Sequence, residues 1–475
     1  MNTDSNIKRI LDELESLAEN DLDPKSGRLF SHIYSHGIEE LDELAREAYL
    51  RYMDKTMLDF TVYPSILKME MDLVKFANQI FNNENGVGNY TYGGTESIML
   101  AMKACREYFR DRYGKSFIPK AVLPATAHPA FYKAALYLGY KVKVATKLGD
   151  GYTAEADTIN EMLDRDTVFI AGSAPSYPYG TMDDIKGMSE LAQDNNIWLH
   201  VDACIGGFVL PFIERLGYRV DPFDFRLEGV TSLSADLHKY GYAPKGASLI
   251  LYRDPEYRIG QIYVCSRWPG YPLVNTTVLS SRSAGPLAAS WAIVRYLGID
   301  GYTRLTSRII SAKRKIIKGL EGLGLDIIGK PVSSIIAFTT WDYRVFQICD
   351  EMKKRGWYIQ AQPGSRKLGF PPSIHLTIAP VHDDIAEEFI ETLGTVMDEL
   401  EAEELDIENI VSAIGITDDT EPSDLKEKLG LIIELLDIDK ESISGEMRLI
   451  NTLMHEIKPE IVEYLLANIV NRLFT

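Results

Sequence analysis

Short, mostly apolar runs alternate with stretches whose apolar positions recur at helical spacing through the middle of this 475-residue chain. AVLPAT (121–126), YKVKVAT (140–146), TVFIAGSA (167–174), IWLHVDAC (197–204), VTSLSAD (230–236) and ASLILY (247–252) read as strands. HPAFYKAALYLG (128–139), ADTINEMLDR (156–165) and IKGMSELAQDN (185–195) read as the helices between them. Strands that alternate with helices predict an α/β domain with a mostly parallel sheet covered on both faces.

The pattern changes downstream. TRLTSRIISAKRKIIKGLEGLG (303–324) predicts a long amphipathic helix leading to a smaller α+β domain. That domain holds a strand candidate, VSSIIAFTT (332–340), and a helix candidate, IAEEFIETLGTVMDELEAEE (385–404). Apolar periodicity persists in LGLIIELL and EIVEYLLANIV, so the last segment reads as a helical appendage. The expected division is an N-terminal helical segment (1–60), a large domain (61–310), a small domain (311–405) and an acidic appendage (406–475).

Charge sharpens that division. The net charge is −19, and residues 383–475 hold 25 acidic and 6 basic residues. The rest of the chain is therefore electroneutral, which argues against nucleic-acid binding. No apolar run reaches the ~20 residues of a membrane span, and the charged N-terminus lacks a signal-peptide pattern. A cytoplasmic protein is expected. The four cysteines have no metal-ligand spacing, so neither a disulfide framework nor a metal site is expected.

The polar residues that break the apolar pattern cluster at predicted strand ends, where open α/β sheets bind ligands. VDACIGG puts Asp202 at one such end, and SADLHK puts Lys239 beyond another. ATAHPAF puts His128 where a strand gives way to a helix. In YTYGGTESIML (90–100), Gly93 and Gly94 form a turn that opens a helix, followed by Thr95, Glu96 and Ser97. Free backbone N–H groups and the helix dipole make such a turn a phosphate seat. A lysine amine that forms a Schiff base, an acid for a pyridinium nitrogen, a ring to stack and a phosphate seat are the requirements of pyridoxal phosphate. Singly, each residue has a structural reading: a cap for Asp202, a core histidine for His128, a solvated side chain for Lys239. The order of all four at strand ends favours the cofactor. Asp236 reads as a structural cap.

YGGTESIMLAMKA, LHVDACIGGFVLPF, FDFRLEGVTSLSADLHKYGYAPKGASLILY, SSRSAGP and FPPSIHLTI resemble the group II decarboxylase branch of the fold-type I pyridoxal phosphate enzymes. These share the aspartate aminotransferase-like fold. Within that branch the chain looks most like the sphingosine-1-phosphate lyases, from about residue 28 to 400. The resemblance implies a homodimer with active sites between subunits. It implies Lys239 as the Schiff-base lysine, Asp202 as the pyridinium partner and His128 as the stacking ring. Gly94, Thr95 and His238 would bind the cofactor phosphate, with Thr276 or Ser280 from the partner chain. Lys245, Tyr34 and Arg282 would meet the substrate. The chain also departs from the pattern: Thr56 and Asp59 stand where the lyases carry an asparagine and a histidine for the substrate phosphate, and Tyr92 replaces a serine.

Three functions follow. The first is retro-aldol cleavage of a phosphorylated amino alcohol, with Lys239, Tyr242 or the substrate phosphate relaying protons. The second is decarboxylation of an L-amino acid, aromatic or acidic, for which Asp59 would select a cationic or hydroxyl-bearing side chain. The third, a non-catalytic scaffold with an acidic tail, leaves the lysine, aspartate and histidine unexplained.

Overall fold

The computed structural model describes residues 3–400, 420 and 447–473. Its centre is a seven-stranded sheet: β1 (Val87–Thr91), β2 (Lys120–Pro124), β3 (Lys141–Ala145), β4 (Thr167–Ser173), β5 (Trp198–Asp202), β6 (Val230–Ala235) and β7 (Ser248–Tyr252). The spatial order is β1-β7-β6-β5-β4-β2-β3. Neighbours from β6 to β3 are parallel, whereas β7 lies antiparallel to both β1 and β6. Strands β4 to β7 are buried at every position, as their unbroken apolar runs require of a sheet covered on both faces.

The six predicted strands of this sheet all form, five of them trimmed within their predicted bounds and the 121–126 strand shifted to Lys120–Pro124. β1 is not announced by the sequence. VGNYT alternates weakly, and its pairing with β7 is a long-range contact that no local pattern announces.

The exposed hairpin β8 (Tyr263–Cys265) and β9 (Leu273–Asn275) follows. A single helical run then spans Gly285–Gly322, well before the expected start at 303, and is broken at Gly298 (φ 52°, ψ −164°). A second, antiparallel sheet comprises β10 (Asp326–Ile327), β11 (Ile335–Thr339), β12 (Gln360–Gln362) and β13 (Ser373–Thr377), in the order β10-β11-β13-β12. The helices Arg344–Lys354 and His382–Glu399 pack with it.

Of the expected C-terminal appendage, 406–419, 421–446 and 474–475 lie outside the described residues. The helices Arg448–Glu456 and Pro459–Leu473 are described. The first is held to the second sheet's layer by Asp350, whose carboxylate accepts Met447 N (3.1 Å) and Arg448 N (2.9 Å). Glu456 pairs with Arg366 at 2.8 Å. Among the described residues no helix is long and apolar enough to cross a membrane.

Candidate active site

The carboxyl ends of β4, β5 and β6 and the N-terminus of the helix Gly94–Tyr113 open onto one cavity of about 350 Å³. That is within the usual range for a small-ligand pocket. Asp202, His128, Gly93, Gly94, Thr95, His238 and Lys239 all line it, together with Asp236, Cys204, Tyr92 and Tyr177.

Lys239 sits on a loop knitted into one conformation. His238 N donates to Ala247 O (2.9 Å), Ala243 N to Leu237 O (2.9 Å) and Tyr242 N to Lys239 O (3.0 Å). Three buried tyrosines, Tyr240 on the loop and Tyr302 and Tyr90 from outside it, anchor the loop. Tyr240 Oη donates to Ile378 O (2.8 Å), Tyr302 Oη to Gly241 O (3.0 Å) and Tyr90 Oη to Gly246 O (3.1 Å).

Asp236, read from the sequence as a cap, is instead a buried ion-pair partner. Its Oδ2 lies 2.8 Å from Lys239 Nζ and 3.5 Å from His238 Nε2. Burial alone would lower the lysine and raise the acid. The mutual attraction outweighs it, lifting the Lys239 ammonium well above its usual range and holding Asp236 below its own. The i, i+3 spacing of these two residues gave no hint of the burial that makes the pair matter.

Asp202 accepts Cys204 N at 3.0 Å through one oxygen. Behind it, His200 is buried between Ser232 Oγ (2.8 Å) and Ser234 Oγ (3.2 Å), and burial pushes its pKa down to about 4. His200 is therefore a neutral spacer, and Asp202 faces the cavity without a competing cation behind it. His128 accepts Ala130 N through Nδ1 (3.2 Å), and burial lowers its pKa.

The glycine turn is a close approach. A Cβ on Gly94 would come within 2.8 Å of Asp236 Oδ1 and of Cys204 Sγ, and Gly93 has a left-handed φ of 111°. Glu96, buried one turn in, accepts Tyr92 N (2.5 Å), Val278 N (2.7 Å) and Leu279 N (3.2 Å). It ties the turn to the 276–282 segment, a connection the sequence reading missed.

Other candidates fall elsewhere. Tyr242, proposed as a proton relay, turns away at a left-handed φ of 60° and stacks on Tyr302. It lines a second cavity with Tyr34 and His36 and is absent from the walls around Lys239. Arg282 is buried, donating to Tyr90 O at 3.2 Å. Thr56 accepts Leu58 N at 3.2 Å and bridges to Ser283. The Asp59 carboxylate accepts Thr61 N (2.8 Å) and Thr61 Oγ1 (2.6 Å). Thr276 faces a separate cleft lined by Glu70 and Arg258, and Ser280 is exposed. None of these six lines the cavity around Lys239 in the same protomer.

On the small-sheet side, Tyr177 stacks on His375 (4.3 Å) and donates to Gln360 Oε1 (2.7 Å), with Ser31 hydrogen-bonded to the same oxygen. Lys245 Nζ lies 4.8 Å over the Tyr34 ring and donates to His32 O at 2.9 Å.

The residues present fit pyridoxal phosphate. An amine and a carboxylate meet in one cavity, backbone N–H groups open a helix beside them, and Asp236 Oδ1 is buried with no hydrogen-bond partner among the described residues. Fold and site together define a fold-type I pyridoxal phosphate enzyme. The pattern of the pyridoxal-dependent decarboxylase conserved domain matches residues 14–339, and the chain belongs to that family as a pyridoxal phosphate-dependent lyase. It is similar to the sphingosine-1-phosphate lyase of Drosophila melanogaster, 38% identical over 388 residues, 81% of this chain and 69% of that protein. It is also similar to a probable L-aspartate decarboxylase of Pyrococcus furiosus, 32% identical over 358 residues, 75% of this chain and 93% of that one. Among solved structures, the sphingosine-1-phosphate lyase of Burkholderia pseudomallei aligns with a TM-score of 0.77 at 35% identity, covering 82% of this chain and 90% of that one.

Proposed function

We propose that the protein cleaves the Cα–Cβ bond of a phosphorylated long-chain amino alcohol to an aldehyde and phosphoethanolamine. One observation carries this reading. The Lys239 amine, paired with Asp236 at 2.8 Å, shares a cavity with Asp202, His128 and the glycine turn, while Lys245 lies beside Tyr34. The likeness to sphingosine-1-phosphate lyases across most of the chain supports it.

Lys239 would hold the cofactor's aldehyde carbon, Asp202 its ring nitrogen and His128 its face. Gly94, Thr95 and His238 would hold its phosphate. When bound, pyridoxal phosphate supplies the electron sink for a bond breaking at the substrate's Cα. In the cleavage the β-hydroxyl proton passes to an oxygen of the substrate phosphate, the aldehyde C=O forms, the Cα–Cβ electron pair passes to Cα, and a proton returns there. We assign that return to Lys239, kept protonated by Asp236. The Tyr34 phenol, held protonated by burial, serves as a hydrogen-bond donor and not as the base.

Thr276 and Ser280 lie outside the Lys239 cavity of their own protomer, which fits a homodimer in which they serve the neighbouring site. A cytoplasmic location fits four free cysteines. We also propose the domain limits 61–310 and 311–405.

The test is product analysis with a phosphorylated amino alcohol and, separately, a panel of L-amino acids. Aldehyde with phosphoethanolamine supports the lyase. Carbon dioxide from an amino acid, with no aldehyde from the alcohol, supports the decarboxylase reading, which Thr56 and Asp59 favour.

A further inference from the structure

Lys245 and Tyr34 leave the substrate's anionic pole with one cation. The second cation of the lyase pattern has no counterpart at Asp59, whose carboxylate is engaged by Thr61. Another imidazole stands nearby. His32 lies on the segment between Phe30 and Tyr34, and its carbonyl accepts Lys245 Nζ at 2.9 Å.

Three features set His32 apart from an ordinary surface histidine. Its backbone is left-handed (φ 62°), a region that non-glycine residues occupy only when the surroundings enforce it. Its partly exposed ring lies 6.5 Å from that of Tyr358, centroid to centroid, and within electrostatic reach of Lys245 and His375, with no carboxylate among the groups that act on it. Lys245 in turn forms no ion pair among the described residues; its other contacts are His238 O at 3.5 Å and the Tyr34 ring. The acid that acts on Lys245, Asp236, is already paired with Lys239 at 2.8 Å, so a substrate oxyanion would find both basic side chains without a carboxylate of their own. Burial and the nearby Lys245 ammonium both lower the His32 pKa, so an anion seated between them must raise it.

We infer that His32 and Lys245 together hold an oxyanion of the substrate, His32 acting as a specificity-determining residue in place of the histidine missing at position 59. That the oxyanion is a phosphate monoester rests on the lyase reading; that His32 meets it does not.

The test uses holoenzyme carrying ¹³C-labelled histidine, with the His32 signal assigned by its loss in His32→Asn. Asparagine tolerates a left-handed backbone, so this variant keeps the segment's conformation. O-phosphoethanolamine, inorganic phosphate and L-aspartate are titrated separately. The expected result is a rise of about one pH unit in the His32 midpoint with O-phosphoethanolamine. Binding of that ligand by calorimetry weakens about tenfold in His32→Asn, the worth of one charged hydrogen bond, with cofactor absorbance unchanged. A midpoint that moves only with L-aspartate keeps the role of His32 and overturns the phosphorylated substrate. A midpoint that moves with no ligand, or with inorganic phosphate alone, overturns the inference whichever reaction the enzyme runs.

Discussion

Replacing Asp236 by asparagine tests the electrostatic centre of the site. The substitution removes one charge and keeps the shape. At 2.8 Å and an effective dielectric of about 20, the Asp236–Lys239 attraction is roughly 6 kcal/mol. Desolvation of two buried ions offsets part of this, and removing one partner of such a pair costs about 3 kcal/mol. For a domain of about 250 residues that loss lowers the thermal midpoint by about 6–12 °C. The assay is thermal unfolding of cofactor-free protein across pH.

The pH dependence has a definite sign. Asp236 is held below its ordinary 3.8, so its contribution is present above the unfolded value and lost as pH falls through the folded one. Lys239 is raised, so its contribution is full below about pH 10 and lost only at higher pH. The gap between wild type and Asp236→Asn should therefore be flat from about pH 5 to pH 9 and close below about pH 4. In a double-mutant cycle, adding Lys239→Met to Asp236→Asn should recover much of the loss. An unchanged midpoint at neutral pH, or a gap as wide at low pH as at neutral pH, would refute the reasoning.

Three further outcomes follow from the geometry. Gly94→Ala forces a Cβ within 2.8 Å of Asp236 Oδ1 and Cys204 Sγ, and should cost about 1–3 kcal/mol, read as weaker pyridoxal phosphate binding or a lower midpoint. Tyr242→Phe should leave kcat within about twofold, because its ring stacks on Tyr302 and no charged group of the site acts on it, whereas Tyr34→Phe should lower kcat/KM about tenfold, because Tyr34 lies within electrostatic reach of Lys239 and Asp236. Glu96→Gln should weaken cofactor binding while leaving the sheet intact, because its carboxylate joins the glycine turn to Val278 and Leu279; circular dichroism and a cofactor titration separate the two effects.

The parts of the site legible in the sequence are those set by local chain geometry. Gly93 and Gly94 announce a turn before a helix, and Asp202 and Lys239 follow apolar runs that leave little choice but buried strands. Those signals put four residues at strand ends, and the sheet order brings the ends together. What stayed hidden depends on distant contacts. Asp236 looks like a cap until β6 buries it beside Lys239. Tyr177 is held by Gln360, 183 residues away, and His375 reaches it from the second sheet. Tyr242 sits among catalytic candidates in its motif, while a left-handed φ sets its ring against Tyr302 in the core, which no local pattern announces. β1 went unseen because its partner, β7, lies far along the chain.

The most direct measurement is covalent. Borohydride reduction of the protein reconstituted with pyridoxal phosphate fixes the cofactor on its lysine, and peptide mass mapping identifies that residue. The label should appear on Lys239, in the peptide that also contains His238, and Lys239→Ala should lose both the label and the visible absorbance. Label on Lys245, or on any other lysine, would contradict the account.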